Sequence, residues 1–128
     1  MPMKTLLLAA AALATVALAP AASAQSAGDW VLAPWRTGNY LFPGVIQSAS
    51  GGQVVVRFDD GTSATLPRRS VRRFNWREGT AVQCRWQNGQ RWYPGRITAM
   101  GRDGATMEVL YADGDSERTN TGRCRVPA

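Results

Sequence analysis

The chain has 128 residues and a formal net charge of +6, with 15 basic side chains against 9 acidic ones and no histidine. Without histidine the usual general base, nucleophile activator and commonest transition-metal ligand are missing. Two cysteines make a poor zinc set and no P-loop, dinucleotide fingerprint or nucleophile elbow occurs, so the composition argues against an enzyme, and no cofactor or metal is expected.

Lys4 opens an apolar run of Leu, Ala and Val that reaches Ala19; Pro20 breaks it, and Ala22-Ser23-Ala24 follows as a small-x-small site. Charge, apolar stretch and cleavage site in that order make a secretory signal peptide over residues 1–24. The run is short for a membrane span, which needs about 20 residues, and no cysteine follows it for a lipoprotein anchor. The expectation is bacterial export, secreted or periplasmic, of a soluble chain starting at Gln25. That part carries fourteen arginines, no lysine and nine acidic residues. Arginine makes planar contacts to carboxylate and phosphate, which points to an anionic partner such as an envelope polymer; ordinary surface charge is the alternative reading.

An internal repeat follows. Gly28-Asp29-Trp30-Val31-Leu32-Ala33-Pro34-Trp35 recurs as Gly79-Thr80-Ala81-Val82-Gln83-Cys84-Arg85-Trp86, and Phe42-Pro43-Gly44 recurs as Tyr93-Pro94-Gly95. Alternating stretches come next, Val54, Val56 and Phe58 in one copy and Met107, Val109 and Tyr111 in the other, and end on Asp60-Gly61 and Asp113-Gly114. Several matches at one spacing define two units, residues 28–74 and 79–126. The four residues Asn75 to Glu78 between them are too few for a loose linker, so the units should touch.

In the first copy, period-two alternation predicts strands near Trp30–Trp35, Phe42–Ser48, Gln53–Phe58, Thr62–Leu66 and Val71–Phe74. Gly51-Gly52 and Asp60-Gly61 read as hairpin turns, as do Asn88-Gly89, Asp103-Gly104 and Asp113-Gly114 in the second copy. Helix signals are absent. Five short strands in under 50 residues predict a small, strongly bent barrel in each copy. Cys84 falls in the first strand of copy two and Cys124 in its last, neighbours in such a barrel, so a structural disulfide is expected. Copy one has Ala33 and Val71 at the matching positions.

The stretch Ala33 to Ile46 with Val56-Arg57-Phe58-Asp59-Asp60-Gly61 resembles the core signature of Tudor and Agenet-like domains. Cys84 to Gly89, Trp92 to Ile97 and Val109 to Gly114 repeat it, so the resemblance covers nearly the whole exported part. It implies an all-β fold of two tandem five-stranded SH3-like barrels. It also implies two aromatic cages, Trp35, Phe42, Phe58 and Asp60 in the first copy and Trp86, Tyr93, Tyr111 and Asp113 in the second. The residue after the turn glycine is often aromatic in that family; here it is Thr62 or Asp115. Ring faces attract a diffuse cation and a carboxylate adds to it. Phe58 and Tyr111 also share strand parity with core residues, and core caps remain the other reading of both.

Arg68, Arg69, Arg72, Arg73 and Arg77 form a basic cluster that reads either as a phosphate-binding patch or as a solvated sheet edge. Asp113, Asp115 and Glu117 alternate as in a calcium loop, but Arg118 occupies the position that needs glycine. The leading expectation is a non-catalytic module that captures a cationic or methylated group on a peptide or small molecule. An envelope scaffold and an arginine-mediated binder of anionic polymer or nucleic acid are the alternatives. The sequence leaves the oligomeric state open.

Overall fold

The computed structural model describes residues 25–36 and 38–128; the export segment expected over residues 1–24 lies outside the described residues. The first copy supplies β1 (Trp30–Pro34), β2 (Tyr40–Ser50), β3 (Gln53–Phe58), β4 (Ser63–Pro67) and β5 (Arg72–Arg73). The second supplies β6 (Ala81–Arg85), β7 (Trp92–Met100), β8 (Thr106–Tyr111), β9 (Ser116–Asn120) and β10 (Cys124–Pro127). Each set curls into a five-stranded barrel in which the first strand pairs with both the second and the fifth. Single-residue bulges between Ile46 and Ser48 and between Ile97 and Ala99 bend the long second strands at matching points. Among the described residues no helix is long and apolar enough to cross a membrane.

Most strand ends of the first copy fall within one or two residues of the sequence expectation, and two of the differences have a clear physical reason. The second strand of copy one starts at Tyr40 rather than Phe42, because Tyr40 and Leu41 pair with Pro127 and Val126 of β10. The fifth strand shrinks to Arg72–Arg73, and its start is set by Val71, which caps the 3-10 turn Arg68–Ser70 by donating its N–H to the Arg68 carbonyl.

β10 joins the two halves. On one side it pairs with β6, and on the other with β2, so the two barrels share one continuous sheet. The joint is buttressed by apolar contacts. β1 buries three residues in a row, Val31, Leu32 and Ala33. Val31 and Ala33 enter the core of their own barrel, while Leu32, together with Leu41, packs into the core of the other. Its equivalent β6 buries only alternate residues. Trp76, in the connection, is 6% exposed and seats in the second core, with Phe74 at 5.4 Å between ring centroids.

Cys84 and Cys124 are register partners on β6 and β10 and form a disulfide. Ala33 and Val71 occupy the corresponding buried positions of the first barrel.

The recurrent Pro-Gly has a steric cause. Gly44 lies opposite Phe58 and Gly95 opposite Tyr111 in the ladders. A Cβ on Gly44 would sit 2.5 Å from Val56 Cγ1 and 3.0 Å from the Arg57 carbonyl; on Gly95 it would sit 2.7 Å from Val109 Cγ1. The bare backbone therefore lets the third strand, and the aromatic ring at its end, close onto the second. Gly44→Ala should cost about 1–3 kcal/mol by overpacking, read as a lowered midpoint in urea denaturation.

Candidate ligand-binding site

Trp35 stands directly after β1, Phe42 lies near the start of β2, Phe58 ends β3, and Asp60 sits in the turn to β4. Strand closure gathers all four. Trp35 meets Phe42 edge-on at 5.6 Å between centroids and Phe58 at 6.3 Å, tilted by 54°. The four residues line one cavity of about 260 Å³. Phe58 is also a member of the first core, so it is both core cap and cavity wall.

Asp60 is fixed by the residue that departs from the family pattern. Thr62 donates to Asp60 Oδ1 twice, from its backbone N–H at 2.9 Å and its hydroxyl at 2.6 Å. These bonds hold the Asp60 carboxyl below its ordinary value of 3.8. Cation capture that leans on Asp60 should therefore persist as pH falls from 7 to 5 and weaken only below 3.8. Thr62→Val removes the hydroxyl donor and should move that loss to higher pH, as titrations of ligand affinity against pH would show.

The second barrel completes the cavity with Arg85, Asn88, Trp92 and Arg123, and Asp59 lines it beside Asp60. Trp92 meets Phe42 edge-on across the two barrels at 5.9 Å. Two guanidiniums lie over Trp92, Arg85 at 4.8 Å and Arg125 at 4.2 Å, and Arg125 also stacks on Tyr40 at 3.5 Å. Arg125 is steadied by donating from Nε to Gln83 Oε1 at 2.9 Å. The sequence reading missed Trp92. The signal was there: the repeat offset pairs Trp92 with Leu41, so an aromatic replaces an aliphatic where the copies diverge.

The second predicted set is arranged differently. Trp86 and Tyr93 flank Tyr111 at 5.7 and 6.5 Å between centroids. Tyr111 is only 5% exposed and belongs to the second core. Its hydroxyl donates to Glu117 Oε1 at 2.6 Å, and the Gln87 backbone N–H donates to Glu117 Oε2 at 3.1 Å. Burial, and then this carboxylate, push the Tyr111 phenol above its usual range. Glu117 thus ties the Trp86 turn down onto the ring. Asp113 accepts from the Asp115 N–H in its own turn.

The five arginines of the basic cluster do not share one role. Arg68 donates to the carbonyls of Gly51 and Gln25 at 2.6 and 3.0 Å, tying the segment before β1 to a hairpin. Arg73 and Arg77 line a separate groove of about 800 Å³ beside Trp30, Phe74 and Trp76. Arg69 and Arg72 are exposed.

The fold and the ring-lined cavity define a class: two SH3-like barrels fused through a shared sheet, with a ring-lined cavity at their joint. Residues 27–74 match the family described as the Tudor domain of the DNA repair protein Crb2, and the chain has a tandem Tudor-like fold. The solved Crb2 tandem Tudor domains share its fold, with a TM-score of 0.56 at 20% identity over 81% of each chain. The AGD34 segment of Arabidopsis thaliana AGDP1 gives 0.39 at 16% identity, covering 80% of this chain and 82% of that one. The tandem Agenet domain 3-4 of ADCP1 gives 0.36 at 16%, covering 80% and 79%. No curated protein matches the chain.

Proposed function

We propose that this is an exported, non-catalytic binding protein whose first barrel captures a methylated or otherwise diffuse cation. The observation that carries the reading is the convergence of Trp35, Phe42, Phe58 and Asp60 on one cavity of about 260 Å³. Ring faces present negative potential to a cation, and methylated ammonium groups are the cheapest cations to strip of water. Each ring contributes roughly 0.5–2 kcal/mol, so affinity for the bare cation falls in the roughly millimolar range. The second set, with Tyr111 and the Trp86 turn both bonded to Glu117, is the weaker candidate. Export would place the ligand in the envelope or outside the cell.

Calorimetric titration with tetramethylammonium and with a trimethyl-lysine peptide tests this. Trp35→Ala should weaken binding at least tenfold, while Trp86→Ala leaves it within twofold. Absence of heat for either ligand at millimolar concentration would sink the proposal.

A further inference from the structure

The geometry points to a zwitterionic ligand: a methylated ammonium joined by a short linker to a phosphate, with phosphocholine as the simplest member. This rests on the cation-capture reading above and adds the role of the second barrel's wall.

The cavity is divided by charge and by origin. The first barrel contributes the rings with Asp59 and Asp60, and the second contributes Arg85 and Arg123 around Trp92. Two carboxylates and two guanidiniums thus line the same 260 Å³. A bare cation gains from the rings and carboxylates but is opposed by the two arginines, because Coulomb terms within a few ångströms are large in a partly desolvated site. A bare anion has the reverse difficulty. A ligand carrying both charges satisfies both walls. Arginine forks suit phosphate oxygens in particular, giving paired charge-assisted hydrogen bonds.

The basic wall is built in place. Arg85 is held over Trp92 at 4.8 Å, and Trp92 is held against Phe42. Arg123 ends the 3-10 turn Thr121–Arg123, whose Gly122 lies so close to Asp59 that any Cβ there would land on the Asp59 side chain. The missing side chain brings the arginine-bearing turn against the acidic segment. Size narrows the ligand further. Drug-sized molecules occupy pockets of about 300–1,000 Å³, and this cavity is smaller, as a headgroup-sized zwitterion requires.

The test compares four probes on the intact protein by calorimetry: tetramethylammonium, inorganic phosphate, phosphocholine and phosphatidylcholine vesicles. Phosphocholine should bind at least tenfold tighter than tetramethylammonium, with inorganic phosphate weaker than both. Arg123→Gln should erase the advantage of phosphocholine while tightening tetramethylammonium, from which an opposing charge is removed, and Arg123→Lys should restore part of that advantage. If Arg123→Gln lowers the melting temperature, Arg85→Gln takes its place. Phosphocholine no tighter than tetramethylammonium overturns the zwitterion inference and leaves cation capture standing. Failure of both to bind brings down cation capture itself. Phosphate binding that survives Trp35→Ala marks a purely anionic site and also overturns the inference. Co-sedimentation with vesicles assigns the group to a lipid headgroup, and binding of free phosphocholine alone assigns it to a soluble or polymer-borne source; either supports the site.

Discussion

Replacing both cysteines by the pair that stands in the first barrel, Cys84→Ala with Cys124→Val, should destabilise the protein by about 4 kcal/mol, the chain-entropy value for closing a loop of this length. The bridge spans 40 residues and ties the first strand of the second barrel to its last. The same strand β10 carries Val126 and Pro127 against β2, so loosening β10 loosens the joint between barrels as well. The Ala/Val pair should nonetheless outperform an Ala/Ala pair, because Ala33 and Val71 already show that this apolar combination fits between first and last strands. Thermal melting under oxidising conditions would rank the three proteins, with the disulfide form highest by well over 10 °C on the usual conversion for domains of this size. Equal melting temperatures for the wild type and the Ala/Val variant would show that the bridge does not constrain the unfolded chain.

Trp76→Ala should be comparably severe, at about 3–5 kcal/mol, the range for emptying a large aromatic from a core. Trp76 is buried in the second core although it belongs to the connection between copies. Its removal leaves a cavity next to Leu32 and Leu41, the two first-barrel side chains that share that core. The expected signature is a lower urea midpoint together with a broader or two-step transition, since the barrels then unfold with less mutual support. An unchanged midpoint would mean that the connection contributes nothing to the second core.

Much of this architecture was legible in the chain. Asp60-Gly61 and Asp113-Gly114 demand tight turns, Pro-Gly marks the close strand approach at Gly44 and Gly95, and alternation names Val54, Val56 and Phe58 as one face. All of these are local signals, and repetition doubled them. The three rings of the first set were legible for the same reason, since one barrel supplies them all. The unread features arise between the copies. Nothing in the pattern of β1 says that Leu32 serves the other barrel, or that Val126 seeks Leu41. Trp92, Arg85 and Arg123 reach the cavity only once the barrels are joined. Glu117 had no role once Arg118 excluded a calcium loop, whereas its two oxygens are spent on Tyr111 and Gln87.

The joint through β10 has a further meaning. It sets the last strand of one copy against the second strand of the other, a head-to-tail contact and not a twofold one. Such a contact, applied again, generates a ring where its rotation closes and an open series of units where it does not. The unit at the front of the series would offer β5 to the β2-equivalent of another molecule. There the sequence substitutes charge for grease: Arg73 stands where Val126 makes the joint, in a strand only two residues long and exposed at both. The first copy thus lacks, in β5, the apolar side chain with which β10 makes the joint, and presents charge at the corresponding edge.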